Sequence, residues 1–370
     1  MTKIAQNSSI DRLVRPHLLD IETYDPVDPP ELLAKRAGIP EDQIIKLNGN
    51  ENPFGSSPSA VDAVANAPLH VYPDPLQRSI REALSIYTGL DERHIIAGAG
   101  SDELIDLLFR LFISPGDSII DSDPTFGMYG FGARIAGAKT VKVPRDDGFN
   151  IDIDRVIDEA GNPGAKIIFV SSPNNPTGNI VSEYEVRKLL DTGLLIVVDE
   201  AYFEFANEIQ DYPDSMAYRY DNVITLRSFS KAYGLGGIRI GYGLAHDELI
   251  SNLLKVKVPF EPSLPAQIAG LAALDDSEFL LETIKTNKKG MRFFKEELDI
   301  LGIEHIPSAT NFITTVWESE NQAIKLSKSL LAKGIIVRHL SSFGWPNCIR
   351  ISIGIEKENN RFINSLKKIL

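Results

Sequence analysis

Short apolar runs alternate with longer amphipathic stretches through the middle of the chain. Residues 94–96 (HII), 117–120 (DSII), 166–170 (KIIFV), 194–198 (LLIVV) and 223–226 (VITL) are rich in Ile and Val and bounded by Pro, Gly or Asp. Such runs predict parallel strands buried on both faces, the mark of an α/β sheet. Between the first two lies SDELIDLLFRLF, where Leu104, Leu107, Leu108, Leu111 and Phe112 share one helical face behind Ser101 as expected N-cap. The pattern changes at the proline-rich stretch 257–265, where a domain crossing is expected. Beyond it the periodicity predicts a charged amphipathic helix over 277–301, a strand at 310–316, a helix at 321–333, strands at 335–337 and 349–353, and a final helix. That set of elements suits a small α+β domain. Residues 1–45 hold many prolines and little periodicity, so they are expected to lie across that domain or a neighbour. The expected division is a large domain at 46–257 and a small one built from 1–45 and 258–370.

A length of 370 residues, more than one hydrophobic core usually fills, agrees with two domains. With 43% hydrophobic and 24% charged residues the composition is that of an ordinary globular protein. No run approaches the roughly 18 apolar residues of a membrane span. The opening MTKIAQNSSIDRL lacks an apolar signal core, so a cytoplasmic location is expected. Cys348 is the single cysteine, which excludes an intrachain disulfide and a thiolate metal site. The six histidines lie far apart, and no metal is expected. A net charge of −13 makes nucleic acid a poor partner.

Open α/β sheets bind ligands beyond the carboxyl ends of their strands, so the residues ending each run are informative. Four ends are polar: 97–102 (AGAGSD), 171–178 (SSPNNPTG), 199–202 (DEAY) and 227–231 (RSFSK). The glycine turn reads either as an ordinary strand-to-helix turn or as a phosphate cradle at a helix N-terminus. Asp102 and Glu103 oppose a phosphate there, so Arg239 is the needed countercharge and Ser228 a further donor. Asp199 emerges from an apolar strand and requires a cationic partner, either an arginine or a protonated heteroaromatic nitrogen. Lys231 is either a solvated lysine or an amine whose partial burial lowers its pKa and makes it nucleophilic. Glu200 points away from its neighbour, so the pair is not an acid dyad. Taken in order, the lysine, the aspartate and the glycine turn with Ser and Arg describe a site for pyridoxal phosphate.

NNPTG (174–178), DEAY (199–202) and SFSKAYGLGGIRIGY (228–242) resemble the fold type I pyridoxal-phosphate aminotransferases of the aspartate-aminotransferase superfamily. LNGNENPFGSSP (47–58), VYPDP (71–75), GAGSDELIDLL (98–108), PTFGMY (124–129) and CIRISIG (348–354) look like the histidinol-phosphate aminotransferase branch. The resemblance runs from about residue 15 to the C-terminus. It implies a large domain with a mostly parallel seven-stranded sheet sandwiched by helices, plus the smaller α+β domain. By the same resemblance Lys231 forms the imine with the cofactor aldehyde and then shuttles the proton. Asp199 holds the pyridine nitrogen protonated, Asn175 and Tyr202 bond the ring's phenolic oxygen, and Phe126 stacks on the ring. The N–H groups at Gly100, Ser101 and Asp102 hold the phosphate together with Ser228 and Arg239. Tyr72 is expected to reach across a homodimer into the partner's site. Arg350 is expected on a substrate carboxylate, Arg338 and Tyr24 on the substrate phosphate, and Asn52 near the substrate. Trp317 and Trp345 are expected to pack, and His339, beside Arg338, to have a surface or packing role in preference to touching substrate.

The implied reaction takes L-histidinol phosphate and 2-oxoglutarate to imidazole-acetol phosphate and L-glutamate. Rivals on the same core are an aminotransferase for aromatic amino acids and a phosphothreonine-type decarboxylase. A regulator built on an inactive aminotransferase domain is disfavoured by the acidic charge and the joint presence of Lys231, Asp199, Arg239 and Arg350.

Overall fold

A computed structural model describes residues 10–21, 29–209, 212–213 and 220–370; Tyr24 lies outside them. Helix α1 (Pro30–Ala37) leads to β1 (Ile45–Leu47), α2 (Pro58–Ala65) and α3 (Arg78–Thr88). The chain then alternates β2 (Ile95–Gly98), α4 (Ser101–Phe112), β3 (Ser118–Asp123), α5 (Met128–Ala136), β4 (Lys139–Pro144), α6 (Ile153–Ala160) and β5 (Ala165–Ser171). Next come α7 (Glu183–Leu190), β6 (Leu195–Asp199), the short α8 (Phe203–Ala206), β7 (Val223–Ser228), β8 (Gly241–Ala245) and α9 (Asp247–Val256). Last are α10 (Leu264–Asp275), α11 (Ser277–Ile300), β9 (His305–Ile306), β10 (Phe312–Val316), α12 (Glu320–Leu331), β11 (Ile335–His339), β12 (Cys348–Ser352) and α13 (Glu356–Lys367).

The larger sheet has seven strands in the order β2-β8-β7-β6-β5-β3-β4. Strands β3 to β7 run parallel, while β8 is antiparallel to both of its neighbours. The five apolar runs all became strands, although β2, expected to be parallel like the others, is an edge strand antiparallel to β8, and the continuity of the rest has a simple cause. Ile119, Ile167 and Val197 enter one core with Leu104, Leu108 and Tyr129, whereas Ile120, Ile168 and Val198 enter another with Val156 and Val186. Both faces are covered by helices, so no polar alternation survives.

Two strands gave no such signal. β4 is an edge strand whose lysines face outward. β8 carries Gly241 and Gly243, and a Cβ at Gly241 would come within 2.7 Å of the Ser101 nitrogen and 2.9 Å of the Arg227 carbonyl. Close approach of α4 therefore requires a residue with low strand propensity. Ser101 also turns out to be the first helical residue: the cap position falls on Gly100, with φ 80° and ψ 170° and no side-chain cap.

The smaller sheet runs β1-β11-β12-β10-β9, with β1 parallel to β11 and the other pairs antiparallel. Its core joins Ile45, Leu47, Ile313, Ile349 and Ile351 to Phe294, Leu298, Leu330 and Phe362 of the helices behind it. Helix α10 follows the proline-rich stretch but packs Ala266, Ala269 and Ala273 with Ile80, Leu84, Tyr233 and Tyr242 beside the larger sheet. The packing thus changes over at α11. Among the described residues no helix is long and apolar enough to cross a membrane.

Candidate active site

The carboxyl ends of β5, β6 and β7 bring Asn175, Asp199 and Lys231 to one edge of the larger sheet. Asp199 is the last residue of β6 and is buried. Its Oδ2 accepts a hydrogen bond from the Tyr129 hydroxyl at 2.7 Å and its Oδ1 one from the Ala201 N–H at 3.1 Å. Among the described residues no arginine or lysine pairs with it. Burial raises its pKa to about 6, and the two hydrogen bonds only partly offset that. The arginine available nearby goes elsewhere. Arg227 meets Glu200 at 2.8 Å, both almost wholly enclosed, with the guanidinium 3.2 Å from the Phe203 ring centre. Neighbouring carboxylates therefore face apart, as strand geometry requires.

Lys231 follows β7 in a tightly folded loop. At Gly234, φ is 68° and a Cβ would come within 1.9 Å of the Gly55 carbonyl, so the loop touches the 48–57 segment backbone to backbone. Ser56 Oγ bonds the Gly234 carbonyl at 2.7 Å and Asn52 Nδ2 the Ala232 carbonyl at 2.9 Å. The half-buried ammonium lies 5.9 Å from the Tyr202 ring centre. Burial, reinforced by the nearby Arg350 guanidinium, lowers its pKa to about 8. About a tenth is therefore the neutral, nucleophilic amine at pH 7, against far less than a hundredth for an ordinary lysine.

The turn between β2 and α4 sets a helix N-terminus beside an arginine. A Cβ at Gly100 would come within 2.6 Å of Arg239 Nη2, so only glycine leaves that approach open. Arg239 is held by the Gly236 carbonyl at 2.9 Å and Asp102 Oδ2 at 3.1 Å. Ser228, buried at the end of β7, accepts the Ser230 N–H at 3.1 Å. Two of these features suit pyridoxal phosphate by charge: an uncompensated buried carboxylate matches a ring N–H⁺, and a glycine-lined helix N-terminus beside an arginine matches a phosphate. Lys231, whose charged neighbours include Asp102 and Arg239, matches the aldehyde.

Arg350 on β12 is buried, its Nη1 2.5 Å from Asn175 Oδ1 and its Nη2 2.9 Å from the Asn48 carbonyl. Arg338 is its register partner on β11, and both guanidiniums lie about the Phe343 ring, at 6.0 and 5.9 Å. Asn52 is buried with its amide bonded to Ala232, Thr283 and the Phe54 N–H. Tyr72 stands apart as an exposed ring stacked on Phe260 at 4.6 Å. Trp317 and His339 pack: the indole bonds Thr315 Oγ1 at 2.9 Å and the imidazole the Pro346 carbonyl at 2.5 Å.

Sequence reasoning missed two residues at the site. Tyr129 bonds Asp199. Asn50 lies 2.9 Å from the Tyr202 hydroxyl through Nδ2, while Ser352 holds its N–H and its Oδ1. Asn50 had one local signal, its place in the quoted glycine- and asparagine-rich segment; its φ of 54° appears only in the fold.

The family model for aminotransferase class I and II matches residues 42–366. A histidinol-phosphate aminotransferase of Roseiflexus castenholzii is 40% identical, covering 98% of this chain and 99% of that one. One of Methanosarcina mazei is also 40% identical, covering 96% of each. Among solved structures, the histidinol-phosphate aminotransferase of Sinorhizobium meliloti in complex with pyridoxal-5'-phosphate superposes with a TM-score of 0.87 at 26% identity, over 96% of this chain and 98% of that one.

Proposed function

The chain belongs to the class I and II aminotransferases and works with pyridoxal 5'-phosphate, and from that premise we propose that it moves an amino group between L-histidinol phosphate and 2-oxoglutarate, giving imidazole-acetol phosphate and L-glutamate. The observation that supports the substrate reading is the pair Arg338 and Arg350, register partners on β11 and β12, of which Arg350 is close enough to Lys231 to lower its pKa. Two guanidiniums serve a pocket that must accept a phosphate in one half-reaction and a dicarboxylate in the other. Histidinol phosphate has no α-carboxylate, so Arg350 acts chiefly on glutamate and 2-oxoglutarate, and Arg338 on the distal phosphate or carboxylate. Tyr24 and Asn52 belong to the substrate side of this reading.

The bound cofactor supplies an aldehyde that receives the amino group and a protonated ring that accepts the electron pair released at the substrate Cα. Lys231 would hold that aldehyde, and its neutral amine would move the proton between the substrate Cα and the cofactor C4′. Asp199 keeps the ring nitrogen protonated. Asn175 and Tyr202 bond the phenolic oxygen, Phe126 covers the ring, and Gly100, Ser101, Asp102, Ser228 and Arg239 hold the phosphate.

A homodimer with shared sites belongs to the same reading. Leu69, Val71, Tyr72, Leu76, Val258 and Phe260 are all exposed, an apolar group that a second copy would cover while Tyr72 enters its site. The same reading divides the chain into domains at 46–257 and at 1–45 with 258–370; the two separate sheets support that division, with β1 and α10 packing across it. The cytoplasm suits a chain with one, buried cysteine.

The test is amino transfer by the purified enzyme from L-histidinol phosphate and from phenylalanine to 2-oxoglutarate, with CO2 release followed on a phosphorylated amino acid. Preference for histidinol phosphate is expected. Equal or faster transfer from phenylalanine would overturn the substrate, and CO2 release the reaction.

A further inference from the structure

Asp199 depends on the hydroxyl of Tyr129, 2.7 Å from its Oδ2. Resting on the reading of this site as a pyridoxal-phosphate site, we propose that Tyr129 is a positioning residue whose hydroxyl holds Asp199 ionised and aimed at the cofactor's ring nitrogen.

The geometry leaves the hydroxyl little freedom. Tyr129 lies in the first turn of α5 and is fully enclosed. Its ring is stacked on Phe169, with centroids 4.4 Å apart and planes at 12°, and meets Phe126 edge-on at 5.6 Å. Phe126 is the residue assigned to the cofactor's face, so one side chain braces both the stacking ring and the carboxylate. The hydroxyl reaches Asp199 Oδ2 at 2.7 Å, and burial together with that carboxylate pushes its own pKa well above the usual phenol range. It is a donor at every working pH.

The surroundings explain why the donor matters. Asp199 faces Tyr129 and the Ala201 N–H, with the carboxylates of Asp102 and Glu200 nearby. Tyr129 is faced in turn by Ser171 and Asp121, and Arg145 stands behind Asp121. No cation touches Asp199 among the described residues. Its ionised form therefore rests on two hydrogen bonds, and removing the stronger-placed one favours the neutral acid. A neutral Asp199 cannot keep the ring nitrogen protonated. Without that positive charge the Lys231 nitrogen that would hold the cofactor aldehyde would bind a proton more tightly.

The experiment uses the Tyr129→Phe holoenzyme, which keeps the ring packing and loses only the hydroxyl. The pH midpoint of the cofactor's visible absorbance change is expected to rise by about half a unit or more. Cofactor dissociation is expected to tighten its dependence on pH and to increase several-fold, and kcat to fall about tenfold or more while KM for 2-oxoglutarate stays within about twofold. An unchanged midpoint and unchanged cofactor affinity would overturn the inference. So would a lowered melting temperature of the cofactor-free protein with no spectral shift, since that is a packing role. Asp199→Asn is the second variant: if Tyr129 acts through Asp199, adding Tyr129→Phe to it moves the midpoint no further, and an additive shift overturns the coupling. Absence of any visible absorbance in the unsubstituted protein would sink the cofactor reading itself, a result distinct from a coloured enzyme indifferent to Tyr129.

Discussion

Lys231 and Asp199 depart from their ordinary acid strengths in opposite directions, and loss of water causes both shifts. Each burial disfavours a charge that the cofactor later satisfies, so the cofactor-free site is destabilised for the sake of binding. For Asp199 the folded pKa of about 6 lies above the ordinary 3.8. Between those values the native chain binds more protons than the unfolded one, so cofactor-free stability falls as pH rises through that window. Asp199→Asn should remove this slope, raise the melting temperature of the cofactor-free protein at pH 7 by a few degrees, and weaken cofactor binding at least about tenfold. Thermal melts at pH 4 to 7 with and without cofactor check both signs. Lys231 shifts the other way: its folded pKa of about 8 lies below 10.5, so its cost is present below about pH 8 and fades as pH rises toward 10.5.

At the level of elements, the apolar strand runs were readable because β3, β5, β6 and β7 are covered on both faces. Their polar ends were readable too, since residues that close a buried strand project into the ligand edge. β8 was not, because its glycines answer to contacts with α4 and β7 that exist only in the fold. Tyr129 and Asn50 were hidden for a related reason. Their partners lie 70 and 302 residues away, at Asp199 and Ser352, and no local spacing records such a pair. The glycine turn before α4 was ambiguous in sequence, because its closeness to Arg239 exists only in the fold. Gly100→Ala places a methyl group against Arg239 in a backbone conformation with φ 80°. Cofactor affinity should drop by about tenfold or more, with the far-ultraviolet circular dichroism of the fold retained. Titration of the cofactor-free variant with pyridoxal phosphate measures it.

Across the whole molecule, residues from both sheets converge on one site. β1 lies in the smaller sheet, the next residues carry Asn48, Asn50 and Asn52, and Arg350 returns from β12 to Asn175. A second copy completes the arrangement through Tyr72 in the proposed dimer. Mixing Lys231→Ala chains with Tyr72→Ala chains, each nearly inactive alone, would then give hybrids with one intact site. Activity should recover to about a quarter of the unsubstituted enzyme's, as random pairing makes half of the dimers hybrids. No recovery after confirmed subunit exchange would mean that Tyr72 serves its own chain or none.

The contact between Gly234 and the Gly55 carbonyl has a bearing on how this sequence drifts. With no room for even one methyl group and a left-handed backbone at Gly234, the lysine loop tolerates no alternative there, whatever compensations arise in side chains around it. A selection from randomised codons at that position would return glycine alone, marking the place where the catalytic loop is fixed by shape and not by chemistry.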